Sequence, residues 1–104
     1  MPSSDVFAAL ADPSRRFVVE TLAARGSATA TELATELPIT RQAVSKHLAA
    51  LEAAGLVVPT RAGRETRYRL TPERLEEAAS WIERVGAQWD ERLAALRENL
   101  AGRP

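Results

Sequence analysis

The sequence predicts a mainly helical fold with one small β-hairpin, in the order four helices, two strands and a long last helix. Three observations carry that expectation. Helix-start signals recur at short intervals: Asp12 before Pro13, Thr29 three residues ahead of Glu32, Thr40 before an Ala- and Leu-rich run, and Thr71 before Pro72. After Gly55 the apolar period changes from 3.6 to 2. From Leu75 to Leu100 apolar residues alternate spacings of four and three, the period of a sustained heptad seam.

The first helix is short and amphipathic, beginning after Ser4 or Asp5 with Val6, Phe7 and Leu10 on one side. A helix this short is stable only when docked. The second starts at Asp12-Pro13, buries Val18, Val19 and Leu22 with Phe17 at the edge, and ends at Arg25-Gly26. Arg15 and Arg16 near its start are open to phosphate contact or to pairing with nearby acids. Thr29-Ala30-Thr31-Glu32 matches a capping box, so a third helix runs from about Ala30 to Leu37, with Leu33 and Leu37 inward and Pro38 as its stop. A turn of about three residues leads to the fourth helix, Thr40 to Ala54, with Gly55 at the left-handed terminating position. Helices three and four therefore form a helix-turn-helix.

Leu56-Val57-Val58 is a β-branched strand that Pro59 confines to an edge or ends. Ala62-Gly63-Arg64 is a turn. In the returning strand Thr66, Tyr68 and Leu70 take one face and Glu65, Arg67 and Arg69 the other. The last helix, 72–100, is about 40 Å long at 1.5 Å per residue. Its seam is Leu75, Ala79, Ile82, Gly86, Trp89, Leu93, Leu96 and Leu100, widened by Trp81 and Val85. A globule of 104 residues is too small to cover all of it. The surplus predicts self-association in a two-fold dimer. One tryptophan is expected to fill the protomer core and the other to face the partner, in an order the pattern leaves open. Gly86 either admits a neighbouring backbone or softens the helix.

Length and composition bound the function. The 104 residues suggest one small domain, 1–104. There is no cysteine and one histidine, His47, which excludes disulfides and thiolate sites and makes histidine-based metal or catalytic centres very hard to build. No cofactor is expected. No apolar run approaches the roughly 20 residues needed to span a bilayer. Met-Pro-Ser-Ser-Asp has neither the charged nor the apolar region of a secretory signal, so a soluble cytoplasmic protein with no membrane partner is expected. Nothing supplies a nucleophile–base pair or a phosphate-cradling glycine loop, so no enzymatic activity is expected.

Fourteen basic and fourteen acidic residues cancel, but unevenly. Residues 41–69 hold Arg41, Lys46, Arg61, Arg64, Arg67 and Arg69 against Glu52 and Glu65, between two net-acidic flanks. A local basic block is the footprint of a nucleic-acid surface. On a helical wheel, Val44, Leu48 and Leu51 share the inner face of helix four, and Gln42, Ser45, Lys46 and Ala49 lie opposite. A face of small and polar residues, free of acid until Glu52, fits a major groove about 12 Å wide.

In this order the elements, and the residues Ala9-Leu10-Ala11-Asp12-Pro13-Ser14-Arg15-Arg16, Glu32-Leu33-Ala34, Gln42-Ala43-Val44-Ser45-Lys46-His47-Leu48 with Leu51, Ala54-Gly55-Leu56-Val57, and Gly63-Arg64 through Tyr68-Arg69-Leu70, resemble the ArsR-type winged helix-turn-helix repressors. The resemblance spans nearly the whole chain. It implies a homodimer joined by the first and last helices, through Val6, Phe7, Leu10, Ile82, Gly86, Trp89, Leu93 and Leu96, that binds double-stranded operator DNA and represses transcription. Many members release DNA when a metal binds. Metal-sensing members carry cysteines in the third helix, where this chain reads Thr31-Glu32-Leu33-Ala34-Thr35-Glu36-Leu37, and others use acid–histidine pairs on the last helix, which here has no histidine. Carboxylates such as Asp90 and Glu91 alone are poor selective ligands for soft or borderline metals. The chain therefore resembles the metal-independent branch, and any effector is of unassigned chemistry.

The expected DNA contacts are Gln42 to adenine, Ser45 and Lys46 to base edges with Lys46 favouring guanine, and Ala49 to a thymine methyl. Thr40 and Arg41 suit phosphates, and Arg61, Arg64 and Arg67 suit backbone or minor groove. His47 borders the inner stripe and suits packing or a phosphate bond. The alternative is a winged helix whose arginines meet an acidic protein. Protein-binding faces favour exposed aromatic anchors, and the outer face of helix four has none.

Overall fold

A computed structural model describes residues 4–101. The elements are α1 (Ser4–Leu10), α2 (Pro13–Arg25), α3 (Ala30–Glu36), α4 (Arg41–Ala53), β1 (Val57–Ala62), β2 (Glu65–Leu70) and α5 (Pro72–Ala101). The first four helices pack around Val6, Val18, Leu22, Leu33, Val44, Leu48, Leu51 and Leu56, each no more than 1% exposed. Burying a side chain of this size contributes roughly 1.5–3 kcal/mol, so this cluster fixes how α3 and α4 cross.

The caps act as their chemistry requires. The Asp12 carboxylate accepts from the Ser14 and Arg15 backbone N–H groups at 2.8 and 3.3 Å. Thr29 Oγ1 accepts from Glu32 N–H at 3.1 Å while a Glu32 oxygen accepts from Thr29 N–H at 2.8 Å, a complete capping box. α3 ends one residue earlier than expected. Leu37 is extended, with φ −106° and ψ 147°, because the ring of Pro38 disfavours the helical region for the residue before it.

The end of α4 departs from the expectation in an instructive way. Leu56 is not in the strand. Its N–H donates to the Leu51 carbonyl and the Gly55 N–H to the Glu52 carbonyl, both at 2.9 Å. Gly55 has φ +76°. This is a Schellman ending, and its usual apolar contact is supplied by Leu51 and Leu56, both fully buried.

β1 continues through Pro59 to Ala62, paired antiparallel to β2 with Pro59 opposite Tyr68. The missing proline donor costs nothing there. Tyr68 spends both its N–H and its C=O on Ala28, at 2.8 and 3.1 Å, so the Pro59–Tyr68 pair lies at a non-hydrogen-bonded site of the ladder. The Ala28–Tyr68 bridge, absent from the sequence expectation, ties the hairpin to the segment entering α3.

α5 is 30 residues long and projects from a molecule measuring 73 × 25 × 21 Å. Its near end packs through Leu75 and Ala78, and Trp81 meets Phe7 edge-on with ring centroids 5.5 Å apart. Ala78, not Ala79, is the buried alanine. Beyond Trp81 the apolar side is open: Ile82, Trp89, Leu96 and Leu100 are all more than half exposed. Trp81 therefore serves the protomer and Trp89 does not. Val6 is fully buried within the protomer, so of the α1 trio only the half-buried Phe7 and Leu10 keep surface for a neighbour.

Gly55→Ala should lower unfolding stability by about 1 kcal/mol, because an L-residue pays for a left-handed φ. The added methyl meets only the flexible Arg74 side chain, at 3.1 Å. Urea titration of the two proteins measures the difference.

Candidate nucleic-acid interface

α4 owes its presentation to two constraints, a cap at its start and a buried stripe along its length. Thr40 Oγ1 accepts from the Ala43 N–H at 3.1 Å and fixes the first residue of the helix. Val44, Leu48 and Leu51, at 0, 1 and 0% exposure, fix its rotation. Helical geometry then turns Arg41, Gln42, Ser45, Lys46 and Ala49 outward, and these five line one shallow depression of about 410 Å³.

The hairpin supplies the second wall. Gly63, at φ +62°, makes the tight turn at its tip, and Arg61 and Arg64 stand exposed on either side of it. The Arg61 Nε donates to the Gly63 carbonyl at 3.3 Å. Between hairpin and helices lies a cleft of about 650 Å³, bounded by Arg41 and Ser45 of α4, Thr31 and Thr35 of α3, and Arg61 and Arg64 of the hairpin. Arg41 and Ser45 border both the cleft and the α4 depression. The structure thus joins the expected residues of α4 and of the hairpin tip into one continuous surface. Thr31, Thr35 and Thr66 also border the cleft, and sequence reasoning missed them. The signal for Thr31 and Thr35 was their i, i+4 spacing on a short helix, and that for Thr66 only its place on the strand face shared with Tyr68 and Leu70.

Arg67 is placed differently. It is half-buried and turned toward the body of the protein, where its Nη2 lies 3.1 Å from Glu32 and its Nη1 3.3 Å from Glu65, while its Nε donates to Ser27 Oγ at 3.2 Å. Arg16 is also engaged, its Nη1 donating to the Leu10 and Ala11 carbonyls at 3.0 and 3.3 Å. It thereby satisfies backbone acceptors at the end of α1. His47 is half-buried, and among the described residues its buried Nδ1 has no hydrogen-bond partner. Among the described residues no group of three or more His, Cys, Asp or Glu side chains is placed to hold a metal ion, and no helix is long and apolar enough to cross a membrane.

An exposed helix with a small polar face, projected by a tight turn and flanked by an arginine-tipped ribbon, defines a winged helix-turn-helix DNA-binding domain. Residues 10–60 match a family described as a helix-turn-helix domain. Over 96 residues the chain is 32% identical to the arsenical resistance operon repressor of Escherichia coli, spanning 92% of this chain and 82% of the relative. It superposes on an ArsR-like transcriptional regulator from Rhodococcus with a TM-score of 0.78 and 47% identity, covering 91% of this chain and 89% of that one. It is also similar to the homodimeric winged helix-turn-helix DNA-binding domain of a possible ArsR-family regulator from Mycobacterium bovis, with a TM-score of 0.65, 27% identity and coverage of 82% and 78%. The chain belongs to the ArsR family of winged helix-turn-helix transcriptional regulators.

Two carboxylates of the scaffold titrate below their ordinary values. Asp12 is held down by the Arg15 backbone N–H against the cost of desolvation, helped by the Ser14 N–H and by the charges of His47 and Arg15. Glu32 is held down by the Thr29 backbone N–H, again against desolvation, and by Arg67 and Arg25. A folded-state pKa below the unfolded one gives stability that is present above the unfolded value, about 4, and is lost as pH falls through the folded one. Asp12→Asn with Glu32→Gln keeps both caps but removes both charges. The variant should lose less stability than wild type between about pH 5 and pH 2, as read from urea midpoints across that range.

Proposed function

We propose that the chain acts in the cytoplasm as a homodimeric, sequence-specific repressor that occupies operator DNA, with no cysteine-based metal switch. The observation that carries this reading is the outer face of α4, where Gln42, Ser45, Lys46 and Ala49 are all exposed and free of large apolar anchors. The Gln42 amide suits adenine N6 and N7, the Lys46 ammonium suits guanine O6 and N7, the Ser45 hydroxyl suits either, and the Ala49 methyl suits thymine. Arg41 and Thr40, at the start of the helix, hold phosphates. The Thr40 oxygen accepts from Ala43 N–H, and its hydroxyl hydrogen remains a donor. Arg61 and Arg64 follow the backbone into the adjacent minor groove.

Dimerisation follows from the far half of α5. Ile82, Val85, Trp89, Leu96 and Leu100 are 43–62% exposed on one helix, with half-buried Leu93 between them. A contiguous apolar stripe of this kind marks an association surface. Apart from the helix's own backbone, no atom of the described residues lies within 4 Å of a methyl placed on Gly86, which leaves room there for a partner helix. A two-fold pair presents two copies of α4 to successive major grooves about 34 Å apart. Such occupancy represses by excluding other proteins from the site. The reading as a protein-binding winged helix is not favoured, because exposed aromatic anchors are absent from α4 and the family's named members are regulators of transcription.

Selection of bound duplexes from a random pool should enrich a two-fold symmetric site. On that site Lys46→Ala should cost about 1–3 kcal/mol and relax preference at one base pair per half-site. Arg64→Ala should instead weaken all sequences alike and lower the slope of log K against log salt by about 0.9 per lost phosphate contact. Affinities and slopes equal to wild type for both variants would place the DNA surface elsewhere. Separately, Trp89→Asp should convert the protein to a monomer in sedimentation equilibrium at micromolar concentration while leaving its helicity intact.

A further inference from the structure

Arg67 sits on a strand whose alternation predicts an outward side chain, yet it folds back on α3. Its guanidinium spans Glu32, Glu65 and the side chain of Ser27. Glu32 is itself held twice more: one oxygen accepts from the Thr29 N–H at 2.8 Å, and the other accepts from Arg25 Nη2 at 3.0 Å. Arg25 also bridges to Glu36. Charges therefore alternate through Glu36, Arg25, Glu32, Arg67 and Glu65, linking the last turn of α2, the length of α3 and the ribbon.

The backbone alone does not hold the ribbon's angle. Among the described residues, β2 bonds to the body through its backbone only at the Ala28–Tyr68 bridge. The side chains that pack on the core, Tyr68 and Leu70, also lie at the base of the ribbon, so its tip can rock about that base. The planar fork of Arg67, next along the strand, adds directional contacts that oppose that rocking. The Arg67 and Glu32 side chains are 30% and 36% exposed, and pairs this wet add little to stability. Their effect is on orientation. Glu32 also borders the cleft that separates Arg41 and Ser45 from Arg61 and Arg64.

We propose that Glu32 and Arg67 are positioning residues: the clasp between α3 and β2 sets the width of the cleft, and so the placement of Arg61 and Arg64 on the duplex, with neither clasp residue touching DNA. The proposal rests on the DNA-binding reading above. It makes a prediction of opposite sign to simple electrostatics. Glu32→Gln removes a negative charge from beside a polyanion, which by charge alone tightens binding. Glutamine preserves the capping box but not the ion pairs.

The test is fluorescence anisotropy on the selected duplex with Glu32→Gln and Arg67→Gln, each made in wild type and in an Arg61→Ala/Arg64→Ala background. In wild type each should weaken binding about threefold to fivefold. In the background lacking the tip arginines neither should weaken binding by more than about 1.5-fold, since there is no longer anything to position. If Arg67→Gln does not fold, Arg67→Lys, which keeps the charge and loses the fork, is held to the same criteria. Glu32→Gln binding as tightly as wild type or more tightly overturns the clasp. So does an Arg67 penalty that is equal in both backgrounds, which marks a direct phosphate contact. Failure of wild type to bind any duplex would instead overturn the DNA-binding reading itself.

Discussion

The seating of α4 governs the rest of the molecule. Three side chains four and three residues apart, Val44, Leu48 and Leu51, are driven out of water. A helix has no independent freedom on its other side, so burying that stripe orients the polar face. The core thereby aims the reading surface. The neighbouring elements serve this arrangement from different directions. α3 and its capping box set the approach to the turn, and Gly55 stops the helix so that Leu56 can return to the core. The ribbon that follows then rises beside the exposed face.

The ribbon is held by economy of backbone groups. Tyr68 turns its N–H and C=O toward Ala28, which sets β2 between β1 and that single bridge residue. That choice explains why a proline is tolerated opposite it and why the Tyr68 and Leu70 side chains pack on the helical core. It also separates the arginines by role. Arg61 and Arg64 lie beyond the anchored portion, near the tip and exposed. Arg67 lies beside the anchor, where acids of α3 and of its own strand are within reach.

Local interactions were legible in the sequence, and contacts between distant segments were not. Asp12, Thr29, Glu32 and Thr40 cap as their neighbours dictate, because donor and acceptor lie within three residues of each other. The inner and outer faces of α4 follow from periodicity alone. The wheel cannot show that Arg67 meets Ser27, a residue 40 positions away, or that Ala28 bridges to Tyr68. Alternation assigned Arg67 to a face correctly, but a long side chain can turn back from its face when acids wait behind it. The seam of α5 was legible as apolar surplus. Its division at Trp81 depends on where α1 docks, and a helix of seven residues leaves no sequence signal of its docking site.

That division gives α1 a role larger than its size. In the proposed pair, the distance between the two reading helices is fixed by the contacts between the seam of α5 and α4. α5 and α4 meet through intermediaries. Trp81 of α5 rests on Phe7 of α1, and Arg16 of α2 donates to the carbonyls at the end of α1. Val6 is enclosed with Val18, Leu48 and Leu51 in one core. Aromatic contact, charge-assisted hydrogen bond and apolar burial act in series, and each tolerates little displacement before its energy is lost. In the proposed pair, these contacts are the route by which a shift of α5 relative to its partner would reach the spacing of α4. In that proposed pair, α1 would bear on the half-site separation of about 34 Å although no residue of α1 is assigned a contact with DNA.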